Sequence, residues 1–84
     1  MKFRFTSHAL ERMEQGNISE EMVRATIEKP EGRIYDESAK YIYQRRFSRP
    51  DGKPFLLRVV MDEAQNPPSI VTVYAATRYH RYMS

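Results

Sequence analysis

The sequence predicts an α+β domain: a short N-terminal strand, two helices, then a three- to four-stranded antiparallel sheet with the helices on one face. Three observations carry that expectation. Apolar residues recur at helical spacing through the first 30 positions, after a brief opening alternation. Beyond Pro30 the period changes to two, and turn residues break the rest into short segments. Strands that follow helices, instead of alternating with them, stack the helices against one side of one sheet.

The opening Lys2-Phe3-Arg4-Phe5 alternates polar and apolar and reads as a short strand. Thr6 or Ser7 suits the cap of the helix that follows. Ala9, Leu10 and Met13 lie on its buried stripe, and Gly16 is its stop. A second helix starts at Ser19, with Glu20 and Glu21 complementing the positive end of its dipole. Ile18 is placed to staple onto Val23, Ile27 continues the apolar face, and Pro30 ends the helix. Arg33-Ile34-Tyr35 is a strand closed by the polar Asp36-Glu37-Ser38, and residues 41–47 form a stronger one. Arg49-Pro50-Asp51-Gly52 is a turn, because Pro50 presets its φ and Gly52 tolerates positive φ. Residues 55–61 return as the partner strand, Gln65-Asn66-Pro67-Pro68 breaks it, and residues 69–76 make the last strand.

The 84 residues (1–84) are expected to form a single domain. No apolar run approaches the roughly 20 residues of a membrane span, and Met1-Lys2-Phe3-Arg4 lacks the apolar segment of a secretory signal. Cysteine is absent, which excludes disulfides and thiolate metal sites and makes a cytoplasmic module the default. Neither histidine has a carboxylate motif beside it, so no metal or cofactor is expected. Residues 1–31 carry a charge balance of −1 and residues 32–84 one of +4. Arg45, Arg46, Arg49, Lys53 and Arg58, then Arg78 and Arg81, are interleaved with six tyrosines, all beyond residue 34. Arginine beside aromatics suits phosphate contact and base stacking. A solvated basic sheet edge is the plainer alternative.

Side-chain alternation decides which of these groups meet. If Phe47 pairs near Phe55, one face holds Tyr41, Tyr43, Phe47, Phe55, Leu57, Val59 and Met61 and receives the helices. The other holds Gln44, Arg46 and Arg58 among Ile42, Leu56 and Val60. In the last strand Val71, Val73 and Ala75 then point inward, leaving Thr72 and Tyr74 with Arg58. Arginine inside Phe55-Leu56-Leu57-Arg58-Val59-Val60-Met61 is costly if buried alone. It is expected either to pair with Asp36, Glu37 or Asp62, or to clamp an oxyanion or phosphate with its planar fork. His8, in the first turn of the first helix, is divided between a local capping or packing role and service as a base or neutral donor. His80 sits near the chain end with Arg78.

Ser7-His8-Ala9-Leu10-Glu11-Arg12-Met13, Gly16-Asn17-Ile18-Ser19, Pro30, Leu57-Arg58-Val59-Val60 and Ile70-Val71-Thr72-Val73-Tyr74 together resemble the domain of unknown function DUF4258. That family is similar to the RelE/BrnT group of bacterial toxins, within the barnase/EndoU/colicin/RelE-like ribonuclease fold. The resemblance implies metal-independent RNA cleavage and a cognate antitoxin. It places catalytic roles on His8, Arg58 and Tyr74, and substrate binding on Arg46, Thr72, Arg78 and His80.

Three functional readings follow. A ribonuclease toxin requires His8 and Arg58 to share one solvent-reachable hollow, with His8 as base, the arginines on the phosphate and Tyr74 or His80 at the leaving oxygen. A non-catalytic module would use the same basic face to bind RNA or an acidic protein. A structural subunit would pair its sheet edge with a partner strand. RNA and an antitoxin are the expected partners, with homo-oligomerisation left open and no membrane contact.

Overall fold

The computed structural model describes residues 2–36, 38 and 40–77. The chain runs β1 (Arg4–Phe5), α1 (Ser7–Gly16), α2 (Glu20–Glu28), β2 (Gly32–Tyr35), β3 (Tyr41–Ser48), β4 (Pro54–Asp62) and β5 (Ser69–Ala76). The strands form one five-stranded sheet in the order β1-β5-β4-β3-β2. The expected α+β class is present and β2–β5 are the anticipated antiparallel strands; what was not expected is that the short N-terminal strand joins the same sheet and makes it mixed. β1 joins it in parallel, pairing Arg4 with Ser69 and Phe5 with Ile70. The chain thus enters at one edge, crosses the sheet through two helices and resumes at the other edge in β2.

Thr6 caps α1, its hydroxyl accepting from Ala9 N at 3.1 Å while donating to the Ile70 carbonyl at 2.9 Å. One threonine therefore fixes both the helix start and its docking on β5. Gly16 is the last helical residue, not the stop. The left-handed position falls on Asn17, at φ 54°. Asn17 N donates to Glu14 O and Ile18 N to Met13 O, closing the paired bonds of a Schellman ending. Met13 and Ile18 are both buried beside it. Ser19 then caps α2 through Met22 N, and Ile18 lies in one buried cluster with Val23, as the staple requires.

The register is the one that sets Phe47 opposite Phe55. Leu57, Val59, Met61 and Val73 lie under Ala9, Met13, Val23 and Ile27 in the core. Besides Ala75, which is exposed near the end of β5, two expected inward residues stand elsewhere. Leu10 is 51% exposed, because the Thr6 cap phases α1 so that Ala9 and Met13 point down and Leu10 points aside. Val71 gives its place to fully buried Ile70: the β4–β5 pairing shifts between Val60 and Met61, so Met61 opposes Ile70 while Val60 opposes Thr72. The β3–β4 turn closes with Gly52 N to Arg49 O and Arg49 N to Lys53 O, both 2.8 Å. Gly52 has φ 87°, a conformation that glycine adopts without Cβ strain.

Candidate nucleic-acid interface

The same register aligns one row across the sheet on the face turned away from the core: Gly32, Gln44, Arg58 and Tyr74, on β2, β3, β4 and β5. Arg58 is 7% exposed and Gln44 3%. Arg58 Nε donates to Gln44 Oε1 at 3.1 Å and Nη1 to the Tyr74 hydroxyl oxygen at 2.5 Å. The guanidinium also stands 5.4 Å from the Tyr74 ring centroid. Burial of a cation inside a sheet is tolerated because the planar fork is bonded on both sides. Gly32 makes room for this row, since a Cβ there would come within 2.9 Å of Gln44 Nε2.

Of the acidic partners considered for Arg58, Asp36 instead accepts from Ser38 and Lys40, and Asp62 from Ala64 and Gln65. Glu37, Arg78 and His80 lie outside the described residues. Arg46, on the same face, grips Glu31 with two parallel bonds of 3.1 and 3.0 Å, and its backbone N–H reaches the same carboxylate at 2.7 Å. Those bonds, the side-chain pair first, hold the Glu31 carboxyl below its ordinary pKa. Thr72 is half-buried opposite Val60, in the row beside Tyr74.

Tyr74 leads from this row to the side of α1. A hollow of about 290 Å³ is lined by Arg12, Gln15, Gly16, Ile18, Val73, Tyr74 and Ala75. Gly16 and Ala75 also border a second hollow of about 260 Å³, with Asn17, Met22, Ser48, Arg49, Pro50 and Phe55. His8 stands exposed in the first turn of α1, one turn before Arg12. It makes no hydrogen bond to Arg58 or Tyr74 and does not line either hollow. The structure therefore brings Arg58 and Tyr74 together on the sheet face turned away from the helices, and places neither His8 nor Arg58 in either hollow. Arg12 was not among the residues singled out from sequence. Its signal was the i, i+4 spacing from His8, which puts both on one helix face.

An α+β domain with helices on one side of its sheet and a nearly buried arginine–tyrosine pair on the other face is what the fold and site define. The chain belongs to the family of the domain of unknown function DUF4258, whose family model matches residues 5–75. No curated protein and no solved structure matches it. Among the described residues, no helix is long and apolar enough to cross a membrane.

Proposed function

We propose that the chain is an RNA-cleaving protein of the toxin type that works without a metal ion, with RNA lying along the α1–β5 side. The observation that carries this reading is the Arg58–Tyr74 bond, with Tyr74 also lining the hollow that Arg12 lines. Because Arg58 donates to the phenolic oxygen, the phenolic hydrogen is left to point elsewhere. In the proposed step the RNA 2′-oxygen attacks the adjacent phosphorus and the bond to the 5′-oxygen breaks. His8 takes the 2′-hydroxyl proton, Tyr74 gives its proton to the departing 5′-oxygen, and Arg12 offsets charge on the phosphate. Arg58, nearly buried, is a positioning residue that also stabilises the phenolate left behind. The products are a 2′,3′-cyclic phosphate and a 5′-hydroxyl. A cognate antitoxin and a cytoplasmic location belong to the same proposal.

Non-catalytic RNA binding by the same surface is the second reading. The observation favouring it is the separation of His8 from the Arg58–Tyr74 pair. Purified protein incubated with RNA in excess chelator decides between them. Cyclic-phosphate ends that vanish in His8→Ala and Tyr74→Phe support cleavage. Salt-sensitive binding with intact RNA, unchanged by His8→Ala, rejects cleavage and leaves the binding module.

A further inference from the structure

The outer edge of β2 carries a second, independent feature. Among the described residues the exposed large hydrophobic side chains are Leu10, Ile34 and Tyr35, so two of the three are consecutive on this one edge strand. The opposite edge differs: β1 has two residues, Arg4 being one of them and Lys2 lying two positions before it, a charge pattern that discourages strand addition. On β2 the edge lacks lysine and proline, and its one cation is drawn inward. The Arg33 guanidinium lies 3.6 Å from the Tyr41 ring centroid, Nε donates to the Tyr43 hydroxyl at 3.0 Å, and the group pairs with Glu63.

We propose that β2 pairs with β2 of a second copy of this chain, antiparallel about a two-fold axis between the two Ile34 residues. The hydrogen-bond parity sets that register. Asp36 N donates to Lys40 O across the β2–β3 hairpin, and Ile34 faces Ile42 two residues on. Antiparallel ladders alternate, so Ile34 and Gly32 exchange bonds with β3, whereas the N–H and C=O of Arg33 and Tyr35 face outward. Around an Ile34–Ile34 centre each Arg33 meets the other copy's Tyr35, and all four outward donors find acceptors.

Side chains agree with this register. Ile34, Ile42 and Val60 line one row on the same face, and the two-fold joins it to its copy as one continuous apolar stripe. On the other face, Tyr35 already packs edge-on against Tyr41 at 5.2 Å and is set beside the incoming Arg33. A foreign extended segment would supply main-chain bonds but not, by symmetry, this matched stripe and arginine–tyrosine exchange. Four edge residues make a small contact, so the dimer is of the weak, concentration-dependent kind.

The absence of native cysteine makes the test direct. Ile34→Cys puts two sulfurs at a non-hydrogen-bonded pair, where Cα atoms lie about 4.5 Å apart. Under mild oxidation it should form a disulfide dimer at least about tenfold faster than Leu10→Cys, which is also exposed but lies on α1. Sedimentation of the unmodified chain from about 1 to about 500 µM should show monomer passing to dimer. Ile34→Lys, folded by circular dichroism, should stay monomeric throughout. Equal cross-linking of the two cysteine variants, or a monomer at every concentration, would overturn the proposal. Neither measurement involves RNA, so the result is independent of the proposed cleavage.

Discussion

Nη1 of Arg58 and the phenolic oxygen of Tyr74, on neighbouring strands in direct register, are held 2.5 Å apart. The bond gives a nearly buried cation a partner and gives a partly exposed hydroxyl a fixed orientation. Tyr74→Phe keeps the ring against the guanidinium and removes only the acceptor. Losing a hydrogen bond to a charged group costs about 1.5–3 kcal/mol, so the denaturant midpoint should fall with m unchanged. Under the proposed function, RNA cleavage should fall by about 10²-fold or more while RNA affinity changes little. Cleavage at the unmodified rate would remove Tyr74 from the chemistry.

The partners of Arg58 extend the row to β2, and this makes Gly32 sensitive at a distance. A methyl group at residue 32 would press on Gln44 Nε2 and Cγ, at 2.9 and 3.1 Å. Gln44 is buried and bonded to Arg58, so it does not swing aside without breaking that bond. Gly32→Ala should destabilise by about 1–3 kcal/mol, the range of overpacking. A double-mutant cycle with Gln44→Ala checks the route: the two costs should be strongly non-additive. Simple additivity would show that the methyl strains something other than Gln44.

Much of this row was legible in the sequence, for a physical reason. Once Phe47 is set opposite Phe55, parity carries Gln44, Arg58 and Tyr74 to one face, although the length of the Arg49–Gly52 loop by itself leaves a one-residue slip open. What was hidden had no local signal. A two-residue β1 contains too little pattern to show that it pairs in parallel with β5. The irregularity that turns Ile70 inward in place of Val71 has no glycine to mark it. Leu10 looks like core until the cap is known to be Thr6, and Arg12 looks like any solvated helix arginine until Tyr74 is seen in the same hollow. Arg46 read as an open cation because its Glu31 grip joins positions 15 residues apart.

The ending of α1 tests that lesson at Asn17. Its φ of 54° is left-handed, where a β-carbon is strained and asparagine is better tolerated than most residues. Asn17→Gly should raise stability by a few tenths to about 1 kcal/mol, and Asn17→Ala should lower it by about 1 kcal/mol. Thermal or denaturant unfolding of the two variants reads the difference. If both variants moved stability the same way, the cap would not govern this turn.

Tyr43 gives a prediction in pH. It is 4% exposed, donates its hydroxyl proton to Glu63 and accepts from Arg33 Nε. Burial first, and the Glu63 carboxylate second, push its pKa above the ordinary 10.0, against the opposing pull of Arg33. The sign follows from proton counts. Above pH 10 the unfolded chain loses this proton while the folded chain keeps it, so the unfolded state binds fewer protons and stability declines as pH rises. The decline begins near the unfolded value and ends once pH passes the folded one. Tyr43→Phe removes the titrating group, so its stability should fall less steeply above pH 10 than that of the unmodified chain, measured by denaturant unfolding at a series of alkaline pH values. At neutral pH the same variant should be weaker by about 1–2 kcal/mol, since Arg33 and Glu63 lose the hydroxyl between them. Two curves running parallel above pH 10 would mean that another group carries the alkaline loss.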